Sequence, residues 1–158
     1  MRVLIIDDQP GFLATLTGML MLIPEIEAVC PALGGLEGLS LAAEMRPDVV
    51  LTDLSMPDLN GAAVTRRLKE RAWAPYVLMM SFNDGPEYRE MAHGVGADAY
   101  LVKSDLDQQL VPVLRRLRAE PAGEKEHAPA PPRRTGTLAR RHDAVRTGKT
   151  DSKDTRQA

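Results

Sequence analysis

The fold is decided by residues 49–57, whose sequence is VVLTDLSMP. A run of aliphatic and β-branched residues ends in the carboxylate of Asp53 and, four residues later, in Pro57. A short apolar run bounded by turn signals is typical of a strand that is buried on both faces of a parallel sheet. In open α/β sheets, ligands and chemistry collect at the carboxyl ends of the strands, where Asp53 is predicted to lie.

On both sides of this stretch, short apolar runs alternate with segments whose apolar residues recur at helical spacing. The predicted strands cover residues 3–6, 27–30, 49–53, 76–80 and 99–102. The apolar residues at helical spacing are Phe12, Leu13, Leu16, Leu20, Leu36, Leu39, Ala43, Val64, Leu68, Leu110, Val113, Leu114 and Leu117. Strands that alternate with helices predict an α/β fold, a doubly wound five-stranded parallel sheet with five helices on its two faces.

Prolines set several of the predicted helix boundaries. Pro10 fits the first turn of the first helix, and Pro86 fits the start of a short helix that runs through about Ala92. Pro112 falls inside the pattern of the last helix, where its missing N–H removes one backbone hydrogen bond. We therefore expect either a late start or a kink of the last helix at Pro112.

The composition suits one ordinary domain with a sizeable core. The chain has 158 residues, of which 44% are hydrophobic, and no apolar run is long enough to cross a bilayer. No cleavable signal is recognised at the N-terminus, and Cys30, the single cysteine, has no partner for an internal disulfide. These features predict a cytoplasmic protein in a reducing compartment.

Charge and periodicity both change near residue 119. Residues 1–118 contain 11 Lys and Arg against 16 Asp and Glu, whereas residues 119–158 contain 9 against 6. Periodicity ends at the same point, and residues 128–132 are rich in proline. A polar segment with few large apolar groups cannot bury enough surface to offset its ordering entropy. We therefore predict one domain, residues 1–118, followed by a disordered basic tail, residues 119–158.

Polar side chains follow or end four of the five predicted strands. Asp7 and Asp8 follow the first strand, Asp53 ends the third, Ser81 follows the fourth and Lys103 follows the fifth. Because the carboxyl ends of parallel strands lie at one edge of a sheet, these side chains are predicted to lie close together. Clustered carboxylates on loops suit Mg²⁺, and an ammonium with a hydroxyl suits a phosphoryl group. The sequence therefore predicts transfer of a phosphoryl group to the Asp53 carboxylate.

Each of these residues has a simpler explanation when it is considered alone. A single aspartate at a strand end is more often a helix cap or a turn residue than a nucleophile. Ser81 alone is a loop hydroxyl, and Lys103 alone is a surface charge. The combination of all five residues at one sheet edge is what favours a chemical site.

With these residues the chain resembles the receiver domain of bacterial response regulators over residues 1–118, and within that family the receivers of the helix-turn-helix subfamily. The residues that carry the resemblance are Asp7, Asp8, Asp53, Met56, Pro57, Gly61, Ser81, Tyr100 and Lys103. The resemblance implies a flavodoxin-like strand order, 2-1-3-4-5. It also implies a signalling switch in which a sensor histidine kinase supplies a phosphoryl group to Asp53.

The resemblance further implies a role for each matching residue. The implied magnesium ligands are Asp7, Asp8, Asp53 and the backbone carbonyl of Ser55. Ser81 and Lys103 are implied to sense the phosphoryl group, and Tyr100 is implied to be the switch aromatic that reports the phosphorylated state on the outer face. We expect a downstream protein or a second copy of the chain to dock on the surface formed by residues 84–115.

Two positions depart from the family pattern. Ser104 follows Lys103 where the family usually has proline, which leaves open whether the Lys103–Ser104 bond is cis. Phe82 follows Ser81 where a small residue is common, and its bulk is in a position to crowd the phosphate pocket.

Two other functions share part of this pattern. An aspartyl-nucleophile phosphatase carries a second aspartate two residues after the nucleophile, but Ser55 stands there, so its general acid is missing. A truncated DNA-binding regulator is the other alternative, and the pairs Arg133–Arg134 and Arg140–Arg141 suit nonspecific phosphate contacts. Residues 119–158 show no apolar pattern of a helix-turn-helix domain. We therefore expect a receiver without its own output domain, which neither enters a membrane nor binds a specific nucleic acid sequence.

Overall fold

A computed structural model of the chain describes residues 1–119, in which parallel strands alternate with helices. The strands are β1 Arg2–Ile6, β2 Ala28–Ala32, β3 Val49–Asp53, β4 Tyr76–Ser81 and β5 Ala99–Val102. The helices are α1 Pro10–Met21, α2 Gly35–Met45, α3 Gly61–Lys69, α4 Pro86–Gly94 and α5 Leu106–Ala119, with a 3₁₀ turn at Lys103–Asp105. The strands lie in the order β2-β1-β3-β4-β5, which confirms the predicted flavodoxin-like fold.

The alternation of side chains along β1 explains why helices cover both faces of the sheet. Val3 and Ile5 pack in a cluster with the buried leucines of α1 and α5. Leu4 and Ile6 pack in a second cluster on the other face, with buried residues of α2 and α3. Because burial of each large aliphatic side chain contributes roughly 1.5–3 kcal/mol, these two clusters hold the sheet between its helices.

The register of the sheet aligns the carboxyl ends of its strands at one edge. Ile6 of β1 lies beside Thr52 of β3, and Asp53 lies beside Met80 of β4. Ser81 at the end of β4 pairs in turn with a residue of β5, Val102. The residues at or just after these four strand ends therefore gather on one side of the domain, as the sequence predicts.

The bounds of β2 and the packing of α2 differ most clearly from the prediction. The strand predicted over residues 27–30 runs instead over Ala28–Ala32, because its position at the edge of the sheet tolerates Pro31. In α2 the buried residues include Gly35, Gly38 and Ala42, whereas Leu36 is 59% exposed. The glycines allow the close approach, since a Cβ on Gly38 would lie 2.4 Å from a side-chain carbon of the sheet.

The last helix also begins earlier than one of the predicted alternatives. α5 begins at Leu106, six residues before Pro112, so the predicted late start at this proline is wrong. Leu106 and Leu110 are buried, and they hold the first turns of α5 on the sheet. Pro112 lies on the exposed side of the helix.

Two predictions concern the chain as a whole. The predicted disordered tail, residues 119–158, lies outside the described residues, apart from Ala119, which is the last residue of α5. Among the helices that the structure describes, none is long and apolar enough to span a membrane.

Candidate functional site

The structure brings Asp7, Asp53 and Lys103 together at the carboxyl edge of the sheet. The ammonium Nζ of Lys103 lies 2.6 Å from Oδ2 of Asp7 and 2.8 Å from Oδ1 of Asp53. Asp7 is fully buried, and Asp53 and Lys103 are 5% and 7% exposed. One cation thus bridges two buried carboxylates that are 46 residues apart in the sequence, because each follows or ends a central strand.

Backbone groups fix the second oxygen of each carboxylate. Oδ1 of Asp7 accepts a hydrogen bond from the backbone N–H of Gln9 at 2.9 Å. Oδ2 of Asp53 accepts one from the backbone N–H of Ser55 at 3.0 Å. Both carboxyl groups are therefore held in one orientation by their own loops, with one oxygen turned toward Lys103.

Burial and the shared ammonium act on the pKa values of this cluster. Burial raises the pKa of the Asp53 carboxyl above its ordinary value, and the attraction of Lys103 offsets only part of that rise. Burial alone would lower the pKa of Lys103, but its hydrogen bonds to Asp53 and Asp7 outweigh this effect and raise the pKa. The cluster therefore keeps a fixed positive charge beside a carboxylate whose ionisation is disfavoured.

Gly61 closes the loop that follows Asp53. Its backbone N–H donates to the carbonyl of Leu54 at 3.0 Å, and a Cβ at Gly61 would lie 2.2 Å from the backbone carbonyl oxygen of Asp53. No side chain fits at this distance, so the start of α3 reaches the end of β3 only because residue 61 is glycine.

Gly61→Ala is expected to lower the free energy of unfolding by about 1–3 kcal/mol, because the new methyl group must push the end of β3 away from α3. Urea denaturation at pH 7 measures the change. Gly18→Ala is the matched control, since a Cβ at Gly18 in α1 meets nothing within 4 Å. Alanine at that helical position is expected to stabilise by roughly 0.5–1 kcal/mol. Equal effects of the two substitutions would contradict the role assigned to Gly61.

The donor chemistry at this edge suits a divalent cation. Two carboxylates and one ammonium leave a net negative charge, and Asp8 adds an exposed carboxylate at the same edge. Hard oxygen donors with excess negative charge are what Mg²⁺ prefers. Within residues 1–119, however, no three acidic, histidine or cysteine side chains converge on one point. Charge and donor type fit the ion, whereas Asp7 and Asp53 are paired with Lys103 in this arrangement.

Ser81 and Tyr100 are linked through one loop residue that the sequence did not single out, Asn83. The hydroxyl oxygen of Ser81 accepts hydrogen bonds from the backbone N–H of Asn83 at 3.2 Å and from its side-chain amide at 3.3 Å. The hydroxyl of Tyr100 donates to the backbone carbonyl of Asn83 at 2.6 Å. The guanidinium of Arg89 lies over the Tyr100 ring, 5.4 Å from its centroid. A turn-forming run after a strand, NDG, is the only sequence signal that points to Asn83.

A second residue that the sequence did not single out ties the loop after Asp53 to α2. The carboxylate of Asp58 accepts hydrogen bonds from the backbone N–H groups of Gly35 and Leu36, at 3.1 and 2.9 Å. It thereby caps a helix whose own cap residue, Gly34, has no side chain. The bond from Leu36 is the largest cause that lowers the pKa of Asp58.

The structure describes both positions that depart from the family pattern, Ser104 and Phe82. None of the peptide bonds in the described part of the chain is cis, so the Lys103–Ser104 bond is trans. Phe82 does not fill the interior, because its side chain is 65% exposed and its ring lies against the ammonium of Lys103.

Comparison with known proteins gives the family. The response regulator receiver domain model matches residues 3–115. The chain is 36% identical over 101 residues to a protein-glutamate methylesterase/protein-glutamine glutaminase of Methanospirillum hungatei, covering 64% of this chain and 29% of that protein. It is 32% identical over 122 residues to the nitrate/nitrite response regulator protein NarL of Escherichia coli K12, covering 77% of this chain and 55% of that protein.

Solved structures agree with this match. The chemotaxis protein CheY4 of Vibrio cholerae superimposes with a TM-score of 0.68 and 26% identity, covering 73% of this chain and 97% of that chain. The chain spans only 29% and 55% of the lengths of the two curated relatives named above. The activities of those whole proteins are therefore not assigned to this chain. The family match, in contrast, covers well over half of this chain and includes the whole cluster of polar strand ends. The chain belongs to the response regulator receiver domain family.

Proposed function

We propose that this chain is a phospho-accepting switch of a two-component phosphorelay, in which Asp53 takes a phosphoryl group from the phosphohistidine of a sensor kinase. The observation that carries the proposal is the buried carboxylate of Asp53, held 2.8 Å from the ammonium of Lys103 at a strand end. A carboxylate oxygen forms the new O–P bond while the P–N bond to the imidazole breaks, and the imidazole leaves with the electron pair. No other catalytic activity is proposed for the chain, and the proposed location is the cytoplasm.

Three residues around Asp53 are proposed to stabilise the transferring group. Lys103 supplies a positive charge that pairs with phosphoryl oxygens, and Ser81 supplies a hydroxyl that donates to one of them. Asp7 orients Lys103 through their 2.6 Å contact. Because Asp7 and Asp53 already hold the ammonium of Lys103 before any donor arrives, this charge requires little rearrangement during the transfer.

We propose Mg²⁺ as the cofactor, held by the carboxylates of Asp7, Asp8 and Asp53 and by the backbone carbonyl of Ser55. When bound, the ion neutralises charge that develops on the transferring phosphoryl group. The support is the excess of negative charge at this edge and the hard oxygen chemistry of its carboxylates. Ser81 and Lys103 are proposed to sense the phosphorylated state, because they would contact the phosphoryl group on Asp53.

Asp8→Asn is expected to weaken Mg²⁺ binding about tenfold or more, because it removes one negative charge and an anionic oxygen donor. Titration calorimetry of the unphosphorylated protein measures this without any phosphoryl transfer. Glu90→Gln, an exposed substitution on α4, is the control and is expected to leave the affinity unchanged. Equal affinities of wild type and the Asp8 variant would remove Asp8 from the proposed ligands.

The switch is proposed to run from Ser81 through Asn83 to Tyr100. A phosphoryl group on Asp53 adds up to two negative charges with strong acceptor oxygens, which can accept the O–H of Ser81 and draw its side chain away from the N–H groups of Asn83. Once Ser81 turns to the phosphoryl group, Asn83 is released, and its carbonyl no longer fixes the hydroxyl of Tyr100. The event biases an existing equilibrium of the loop after β4.

Tyr100→Phe is expected to move the free protein part of the way to its activated state, since it removes the 2.6 Å hydrogen bond to Asn83. Loss of one such bond is worth about 0.5–1.5 kcal/mol. Amide NMR spectra of the variant, with and without beryllofluoride, measure the shift. The amide signals of residues 82–85 in the free variant should lie between those of the free and bound wild type. Signals unchanged in this loop would contradict the proposed route.

Two kinds of partner are proposed for this switch. A sensor histidine kinase supplies the phosphoryl group, and a downstream protein or a second copy of the chain docks on the surface formed by residues 84–115, where the switch residues emerge. The DNA-binding alternative depends on the predicted tail, of which residues 120–158 lie outside the described residues, and we do not propose it. The phosphatase alternative is not proposed either, because Ser55 has no carboxyl group.

A phosphotransfer profile tests the function directly. Purified sensor kinases that carry radiolabelled phosphohistidine are incubated with the full chain for short times, and the label on each protein is followed. Rapid transfer from one or a few kinases is the expected result, with the label on the chain released by hydroxylamine, as an acyl phosphate is. Failure of every kinase and of acetyl phosphate to label the chain would contradict the proposed function.

A further inference from the structure

The two phenylalanines of the chain lie against the same ammonium group. The Nζ of Lys103 is 4.3 Å from the ring centroid of Phe12 and 5.2 Å from that of Phe82. Phe12 comes from the first turns of α1, and Phe82 follows the end of β4, so separate elements converge on this cation. Both distances lie within the range in which a cation is attracted to the face of an aromatic ring.

Core packing does not explain the position of Phe82. Its side chain is 65% exposed, which is unusual for a large apolar group and places its ring at the mouth of the site. The side chain of Lys103 is only 1% exposed, so its ammonium is withdrawn from water behind the neighbouring side chains. Phe12 is half-buried and lines a cavity of about 220 Å³ together with Lys103.

A ring face holds a cation in a different way from a carboxylate. The quadrupole of the ring attracts the ammonium without neutralising its charge, so the rings add no further anion that an incoming phosphoryl group must displace from Lys103. The rings also exclude water, which strengthens the interaction between the ammonium and charge that develops beside it. Lys103 is therefore held by two carboxylates and two aromatic rings. Only the two carboxylates among these four groups carry negative charge.

We propose that Phe12 and Phe82 are positioning residues that hold the ammonium of Lys103 for phosphoryl transfer to Asp53. The inference rests on the proposed function. Phe12 and Phe82 act through Lys103, and neither is assigned a contact with the phosphoryl group. Phe82 stands where a small residue is common in the family, and it therefore gives this chain a second aromatic ring beside the ammonium of Lys103.

The test compares substitutions that remove the ring with substitutions that keep it. Phe82→Leu and Phe12→Leu keep an apolar side chain of similar length, whereas Phe82→Tyr and Phe12→Tyr keep the aromatic face. The full chain is labelled with phosphoramidate and Mg²⁺, and the rate constant is measured at saturating and at low donor concentration. Each leucine variant is expected to label about 3- to 10-fold more slowly than wild type, with most of the rate recovered in the tyrosine variant. Leu22→Ala, at an exposed apolar position of a different surface, is the control.

A second readout does not depend on phosphoryl transfer. The ε-methylene carbon of Lys103 is bonded to Nζ, which lies 4.3 and 5.2 Å from the two ring centroids, so we expect the NMR signals of its protons to be shifted upfield in wild type and in the tyrosine variants. Each leucine substitution should remove part of that shift. Leucine variants that label as fast as wild type, or a Lys103 signal that no ring substitution changes, would overturn the proposal. If the wild type takes no label at all, the proposed function fails, while the Lys103 signals still decide whether the rings hold the ammonium.

Discussion

Asp53→Asn is expected to abolish phosphoryl labelling by a cognate kinase or by acetyl phosphate, and to stabilise the domain at the same time. An amide cannot form an acyl phosphate, so the loss of labelling should be complete. The fold should be retained, because the asparagine side-chain oxygen can still accept the N–H of Ser55 that now bonds to Oδ2. Intact-mass spectrometry and hydroxylamine-sensitive radiolabel measure the first effect. Stoichiometric labelling of the variant would refute Asp53 as the acceptor.

The gain in stability follows from the direction of the Asp53 pKa. Burial raises this pKa above the ordinary value of 3.8, so the folded state binds the proton more tightly than the unfolded state does. The contribution of Asp53 to stability is therefore most favourable below the ordinary pKa and is lost as the pH rises through the raised folded pKa. Asparagine removes this loss and leaves Asp7 and Lys103 as a one-to-one pair.

Urea denaturation of wild type and variant across pH 4–7.5 measures this effect as a difference of unfolding free energies. The difference should grow in favour of the variant as the pH rises through the folded pKa of Asp53. Asp84→Asn, at an exposed position in the loop before α4, is the control and should show no comparable trend. A difference that stays constant with pH would show that the charge of Asp53 is not the destabilising element.

The parts of the fold that follow from local pattern were predictable from the sequence. β3 is predicted with correct bounds, Val49–Asp53, because a continuous run of apolar residues at the sheet centre ends abruptly in a charge. The convergence of strand ends follows from parallel topology alone, and it brings Asp7, Asp53 and Lys103 together as predicted. The packing of α2 was harder to predict from the sequence, since its buried face is made of glycine and alanine, which give a weak hydrophobic signal.

Contacts that depend on tertiary placement of single side chains could not be read from the sequence. Phe12 fits the apolar stripe of α1, and nothing in the spacing indicates that its ring meets Lys103. Asn83 belongs to a loop, so its bonds to both Ser81 and Tyr100 depend on how that loop folds back. The contacts of Phe12 with Lys103 and of Asn83 with Tyr100 join residues far apart in the chain, which periodicity does not relate.

Lys103→Met is expected to produce the largest loss of stability of any single substitution at the site, about 3–5 kcal/mol at pH 7. Methionine retains the length and most of the apolar volume of the lysine stem, but it leaves two buried carboxylates without their cation. Asp7 is fully buried and Asp53 is 5% exposed, so neither is stabilised by water. Phosphoryl labelling should also fall sharply, since the fixed positive charge beside Asp53 is lost.

A lysine in a more exposed ion pair provides the matched comparison. Lys69, at the end of α3, pairs with Asp98, and their side chains are 19% and 25% exposed. Lys69 also donates to the backbone carbonyl of Pro75 at 3.0 Å. Lys69→Met should cost about 1–2 kcal/mol, because water can reach the remaining carboxylate. Equal losses for the two lysine variants would mean that burial of the carboxylates does not determine the cost.

The pH dependence of the unfolding free energy separates loss of the counter-ion from simple loss of packing in Lys103→Met. Without Lys103, the attraction that offsets part of the burial-raised pKa of Asp53 is lost, so the cost of burying this carboxylate is absent at low pH and develops as the pH rises through its raised folded pKa. The deficit of Lys103→Met against wild type should therefore shrink as the pH falls from 7 toward 4. Addition of Asp53→Asn to this variant should restore much of the lost stability at pH 7, because only one buried carboxylate then remains. A deficit that is independent of pH, or a double variant no more stable than Lys103→Met alone, would show that Lys103 stabilises the domain by packing and not as the shared counter-ion of Asp7 and Asp53.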